Sequence, residues 1–151
     1  MHHWPDEVAC AASAAALARH AELDHAFIEL HGPLGAGKTT FVRHLLHALG
    51  VEGRIKSPTY TVLEPYELTH HGAALAISHF DFYRFDDPQE WEDAGFRDVF
   101  AVRGLKLAEW PEKAEGLLPV ADLEIHIETL EGDARRARFD AHTPLGAALL
   151  A

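Results

Sequence analysis

Apolar and polar positions follow two periods along this chain, and the points where the period changes mark its elements. Residues 6–20 are Ala-rich and helical in character, with Pro5 or Asp6 as the start signal. Val8, Ala12, Ala15, Ala16 and Leu17 can share one small-residue face. After a polar connection at 22–25, Phe27-Ile28-Glu29-Leu30-His31 is a short, mostly apolar run of strand type. Phe41, Val42, Leu45, Leu46 and Leu49 then recur at helical spacing, and Gly50 ends that helix.

The second half is richer in strands. Ser57-Pro58 disfavours helix and marks an extended or turning segment over 54–60. Residues 60–68 and 74–83 read as two strands joined by the turn Thr69-His70-His71-Gly72, which makes an antiparallel hairpin. Pro88 suits the first position of a helix over 88–94, which Gly95 stops; 96–102 reads as another short helix. An apolar strand over 104–110 runs into Glu109-Trp110-Pro111, and Pro111 starts a short helix to about Gly116. Residues 121–130 alternate, with Leu123, Ile125 and Ile127 on one face. The turn Glu131-Gly132-Asp133 leads to a further strand over 134–141, forming a second hairpin. Residues 142–151 are expected to be a loose C-terminal tail beyond a core of about 6–141.

The residues between the first strand and its helix decide the class. Gly32, Gly37, Lys38 and Thr39 fit G-x-x-x-x-G-K-[ST], the phosphate-binding P-loop, in the strand–loop–helix context that gives the pattern its meaning. Glycines let successive backbone N–H groups face one anion, and the following helix adds its positive end. Lys38 is expected to reach the β- and γ-phosphates and the Thr39 hydroxyl to ligate Mg²⁺. Pro33 has no N–H, so the donors must come from Gly35, Ala36, Gly37, Lys38, Thr39 and Thr40. The expected fold is α/β: a single P-loop domain over 1–151, with a mixed sheet that carries antiparallel hairpins and is flanked by helices.

Composition narrows the surroundings. The 151 residues suffice for one domain with its own core, and a formal net charge of −11 argues against a large basic face that grips nucleic acid. The single cysteine, Cys10, excludes an intramolecular disulfide and any CxxC metal site. Twelve histidines are scattered with no H-E-x-x-H or Cys/His framework, so they read as surface or half-buried side chains. No apolar run approaches a membrane span and no signal-peptide pattern opens the chain, so the expected setting is cytoplasmic. There is no asparagine, hence no N-K-x-D motif for reading guanine.

A P-loop needs a further carboxylate on the metal side and a group that senses the γ-phosphate. Asp81 and Glu109 each follow apolar residues near a strand end, where they can project toward the phosphate crevice. One can hold Mg²⁺, directly or through water, and the other can orient or deprotonate a nucleophile; as solvated strand-end carboxylates they would do neither. Thr59 lies where many P-loop proteins place a switch segment ordered by the γ-phosphate and Mg²⁺. The arginines fall into two groups, Arg84, Arg97 and Arg103, then Arg135, Arg136 and Arg138. For most of them a solvated, salt-bridged face is the reading, and none stands out as an arginine finger supplied in cis.

Several runs together resemble the TsaE (YjeE) family of small bacterial ATPases needed to make threonylcarbamoyladenosine in tRNA. They are Leu34-Gly35-Ala36-Gly37-Lys38-Thr39-Thr40, Lys56-Ser57-Pro58-Thr59-Tyr60, Glu64-Pro65-Tyr66, His79-Phe80-Asp81 with Tyr83-Arg84, Gly95-Phe96-Arg97-Asp98, and Glu109-Trp110-Pro111. The Lys-Ser-Pro-Thr-Tyr and Glu-Trp-Pro runs are the specific ones. The resemblance implies ATP and Mg²⁺ at the P-loop, with Thr39 and Glu109 on the metal side, Thr59 in a switch-like loop and Asp81 needed for hydrolysis. It implies TsaD-like and TsaB-like partners, with tRNA met only through that assembly, which ATP hydrolysis resets between turnovers. By the same analogy Cys10 and either Arg135 or Arg136 lie near the adenine. The chain departs from the family at Pro33, where an acidic residue is common, and at Cys10, where a threonine is frequent. Two other readings of the P-loop stay open at this point: an ATP-dependent binding module without significant hydrolysis, and a small-molecule kinase.

Overall fold

Seven strands form one sheet in the order β1-β7-β6-β2-β5-β4-β3. A computed structural model describes residues 2–53, 55 and 62–151. The strands are β1 (His2–Trp4), β2 (Phe27–His31), β3 (Leu63–His70), β4 (Ala73–Asp81), β5 (Leu105–Glu109), β6 (Leu123–Thr129) and β7 (Arg135–Ala141). Helices are α1 (Glu7–Ala18), α2 (Lys38–Leu49), α3 (Pro88–Asp93), α4 (Phe96–Ala101) and α5 (Pro144–Leu149). The four central strands β6, β2, β5 and β4 run parallel, and β3, β7 and β1 add antiparallel edges.

Local sequence explains most boundaries. Asp6 caps α1 by accepting the amide of Ala9, and Asp87 caps α3 by accepting that of Gln89, with Pro88 inside its first turn. Gly50 ends α2 in the left-handed conformation that favours glycine. The hairpin β3–β4 closes through His71-Gly72, a tighter turn than the four residues expected. Residues 60–61 of the expected first strand, like most of 54–60, lie outside the described residues.

Two apolar layers hold the sheet. On one face Ile28, Leu30, Leu107, Leu123 and Ile125 pack against Phe41, Val42, Leu45 and Leu46 of α2 and Ala14 and Leu17 of α1. On the other, Phe27, Phe80 and Ala108 meet an aromatic cluster of Phe82, Phe85, Trp91 and Phe96 around α3 and α4. Covered on both faces, β5 is buried at every residue, including Lys106, whose ammonium donates to the carbonyl of Val102.

One expectation is corrected and one strand is new. The C-terminal residues are not a loose tail: Thr143 caps α5, and Gly146 and Leu149 are buried. A Cβ on Gly146 would stand 1.8 Å from the carbonyl oxygen of Asp122, so only glycine allows this helix to dock so closely. The N-terminal strand β1 also had no sequence signal, because three residues carry no period; pairing with β7 makes it a strand and buries Trp4.

Candidate functional site: a nucleotide cleft at the carboxyl ends of the parallel strands

The P-loop leaves β2 at the carboxyl edge of the parallel strands, the edge where open α/β sheets bind ligands. Gly32 is required by proximity: a Cβ there would lie 2.5 Å from the carbonyl oxygen of Ile127 on β6. Pro33 accepts the Ala36 amide at 3.0 Å, closing a turn in which proline's missing N–H costs nothing. Gly35 and Gly37 take positive φ angles of 80° and 104°, and α2 begins directly at Lys38. The backbone therefore curls around a concave rim at the positive end of α2.

Lys38 is almost fully buried. Its ammonium donates to the carbonyl of Gly32 at 2.5 Å and lies 3.3 Å from the ring centre of Trp110. Burial pushes this ammonium below the usual lysine range, against the pull of Glu109, Glu112 and Asp81. Trp110 itself has φ 55° and ψ 47°, a left-handed conformation that is uncommon for a bulky residue. That turn brings its ring to the site, where it also meets Tyr83, with centroids 5.0 Å apart. Such local strain concentrates where a side chain must be aimed.

The carboxylates arrive from neighbouring strands. Asp81 ends β4 and Glu109 ends β5, and the two are register partners in the parallel ladder. Glu109 is only 2% exposed. Its Oε1 accepts the Thr39 hydroxyl at 2.7 Å and its Oε2 accepts Nε2–H of His79 at 2.6 Å. His79 is fully buried, and its Nδ1 has no hydrogen-bond partner among the described residues. An unpaired lone pair is less costly than an unpaired N–H, so the proton belongs on Nε2, facing the carboxylate. Asp81 accepts the Tyr83 amide at 3.0 Å; burial and the charge of Glu109 hold its carboxyl above the usual aspartate range.

Two clefts flank the start of α2. The first is lined by Lys38, Thr39, Asp81, Glu109, Tyr83, Arg84 and Trp110 among others, and the second by Trp4, Cys10, Asp133 and Arg135. Ala36, Gly37 and Thr40 belong to both, so they meet across the P-loop. Arg135 clamps this junction, donating from Nε to the carbonyl of Ala36 at 3.0 Å and from Nη1 to that of Ala134 at 2.9 Å.

Residues 4–137 match the family described as threonylcarbamoyl adenosine biosynthesis protein TsaE. The chain belongs to the TsaE family. A TsaE protein of Haemophilus influenzae is 45% identical over 119 residues, covering 79% of this chain and 72% of that protein. One from Bacillus subtilis is 37% identical over 114 residues, 76% of this chain and 68% of that one. The crystal structure of YdiB from Bacillus subtilis superposes with a TM-score of 0.77 at 28% identity, covering 99% of this chain and 89% of that one. The α/β fold with a mixed sheet flanked by helices is thus the TsaE fold, and membership implies nucleotide binding. Among the described residues no helix is long and apolar enough to cross a membrane.

Of the residues singled out from sequence, Gly35, Ala36, Gly37, Lys38, Thr39, Thr40, Asp81 and Glu109 line the first cleft, while Cys10 and Arg135 line the second. Thr59 lies outside the described residues. Sequence reasoning missed His79, Tyr83, Arg84, Trp110, Trp4 and Asp133. His79, Tyr83, Arg84 and Trp110 stand within the quoted runs, and their company with Asp81 and Glu109 was the available signal. Trp4 and Asp133 enter the cleft only through tertiary contact.

Proposed function

We propose that this TsaE-family chain is a cytoplasmic, Mg²⁺-dependent P-loop ATPase serving threonylcarbamoylation of adenosine in tRNA. Its hydrolysis of ATP would reset an assembly of TsaD-like and TsaB-like proteins, with the 151 residues acting as one unit. The observation that carries this reading is the bond from the Thr39 hydroxyl to the buried Glu109, directly under the P-loop.

In this reading the amides of Gly35 to Thr40 cradle the phosphates, and Lys38 exchanges the Gly32 carbonyl for the β- and γ-phosphates. Thr39 Oγ1 and the Glu109 carboxylate are hard oxygen donors, the set Mg²⁺ prefers, and Glu109 acts directly or through water. Bound there, Mg²⁺ would neutralise charge on the transferring phosphoryl oxygens. Asp81, raised above an ordinary aspartate, orients or deprotonates the attacking water. Cys10 and Arg135 border the end of the cleft suited to the base. Thr59 belongs to the segment that senses the γ-phosphate. The acidic balance suits a subunit that leaves tRNA to its partners.

Reconstitution tests this. A TsaB–TsaD pair supplied with tRNA and threonylcarbamoyl donor should modify many tRNAs per complex only when this chain and hydrolysable ATP are both present. Equal support from a nonhydrolysable ATP analogue would replace the proposal with an ATP-switched docking module.

A further inference from the structure

The face of the sheet opposite α1 and α2 carries chemistry that the nucleotide cleft leaves unused. On that face Phe27 lies within the aromatic cluster, but Glu29 and His31, further along β2, do not. Across the parallel β2–β6 pair Glu29 stands opposite Glu124 and His31 opposite His126. The antiparallel β6–β7 pair sets Asp140 opposite Glu124. Three imidazoles turn the same nitrogen toward one carboxylate: His31 Nε2 and His126 Nε2 lie 3.3 and 3.1 Å from Glu124 Oε1, and His142 Nε2 lies 2.5 Å from Glu124 Oε2. The rings of His31 and His126 stack at 4.5 Å with 14° between their planes. One donor atom each from His31, Glu124 and His126 falls within 4.8 Å of the other two.

We propose that His31, Glu124 and His126 form a binding site for a divalent transition-metal ion, zinc first among them, with His142 holding the second carboxylate oxygen of Glu124. The spacing supports this. Zinc bonds of about 2.0–2.1 Å in a tetrahedron place neighbouring donor atoms about 3.3–3.4 Å apart. Both nitrogen–oxygen separations at Glu124 Oε1 are already within a few tenths of an ångström of that edge. The donor set, imidazole nitrogens with a carboxylate and no thiolate, suits Zn²⁺, Ni²⁺ or Cu²⁺ and is poor for Mg²⁺ or Ca²⁺. Strand pairing holds His31 and His126 side by side, so little ordering is needed on binding. Glu29 Oε1, 3.1 Å from His31 Nε2, and Asp140 Oδ2, 3.7 Å from His126 Nε2, border the site as further carboxylates. No local spacing in the sequence announces the full set, because its donors come from two strands, β2 and β6.

The position gives the ion a structural consequence. His31 directly precedes Gly32, whose carbonyl receives the Lys38 ammonium. A metal joining His31 to β6 would fix the strand end from which the P-loop hangs.

Equilibrium competition between the untagged full-length chain and a chromophoric chelator tests the site. Zinc is titrated without nucleotide and with excess Mg²⁺, which occupies oxygen-donor sites such as that at Thr39 and Glu109. One zinc per chain is expected. His126→Gln and His31→Gln should each weaken binding at least about 10-fold, whereas His44→Gln should not. His142→Gln, at an exposed side chain, removes the group that orients Glu124 and should also weaken binding. Cobalt loading should give the visible absorption of a tetrahedral ion in the wild type and lose it in His126→Gln. Absence of stoichiometric zinc binding, or equal affinity in the wild type, His31→Gln, His126→Gln and His142→Gln, would overturn the proposal. None of these readouts depends on ATP hydrolysis.

Discussion

The Thr39 hydroxyl and the Glu109 carboxylate meet at 2.7 Å although they are 70 residues apart in sequence. The first lies in the opening turn of α2, the second at the last residue of β5. Parallel pairing of β5 with β2 brings the two strand ends together, so the contact is set by sheet register. On the other side of the carboxylate, the buried His79 fixes its orientation.

His79 is therefore expected to act on hydrolysis through Glu109. His79→Ala leaves a buried carboxylate without one of its two donors, at a cost of about 1.5–3 kcal/mol in folding stability. His79→Gln retains an N–H donor and should recover part of both stability and turnover. Thermal melts and steady-state phosphate release check this. A His79→Ala variant with wild-type turnover would leave the histidine as packing alone.

Lys38 has two roles that one substitution separates. Lys38→Ala should remove most ATP affinity, by about 100-fold or more, since a charge-assisted phosphate contact is lost. Because the ammonium lies against Trp110, its departure toward phosphates should change indole fluorescence on ATP addition. Measured in a Trp4→Phe background, because Trp4 lines the second cleft, that change should be largely absent in Trp110→Phe, with Trp91 remaining. A titration read by fluorescence and by calorimetry checks both statements. An undiminished signal in Trp110→Phe would contradict the movement.

Cys10 gives a pH prediction. Burial, and then the charge of Glu7, push its thiol up to about 11. Below that value the thiol is protonated, and the reactive thiolate grows with rising pH. Alkylation followed by mass spectrometry should therefore accelerate about tenfold per pH unit from 7 to 10. ATP should slow it at every pH, since Cys10 lines the cleft. A rate that levels off below pH 9 would contradict the raised thiol.

The central strands, α2 and both hairpins were legible from sequence because each is an apolar or periodic run with a marked end. β2 and its P-loop were read at their observed boundaries. What escaped were features made by tertiary contact. β1 is a strand only because β7 offers an edge, and α5 holds because Gly146 fits against Asp122. Asp81 and Glu109 could be singled out as strand-end carboxylates, but their adjacency is a matter of register. His79 carries no sign in the sequence that its ring is buried against Glu109. The histidines of β2 and β6 looked scattered because a parallel pairing, unlike a helix or a hairpin, joins residues with no fixed spacing.

The most direct test of the account is single-turnover hydrolysis of Mg·ATP by the wild type, Glu109→Gln and Asp81→Asn, each with and without the TsaB–TsaD pair. The account predicts that the pair accelerates the wild type. Both variants should bind ATP, with hydrolysis slowed by about 100-fold or more, the scale seen when a charge-stabilising or proton-accepting group is removed. Equal hydrolysis by wild type and Glu109→Gln, or no acceleration of the wild type by the pair, would contradict it.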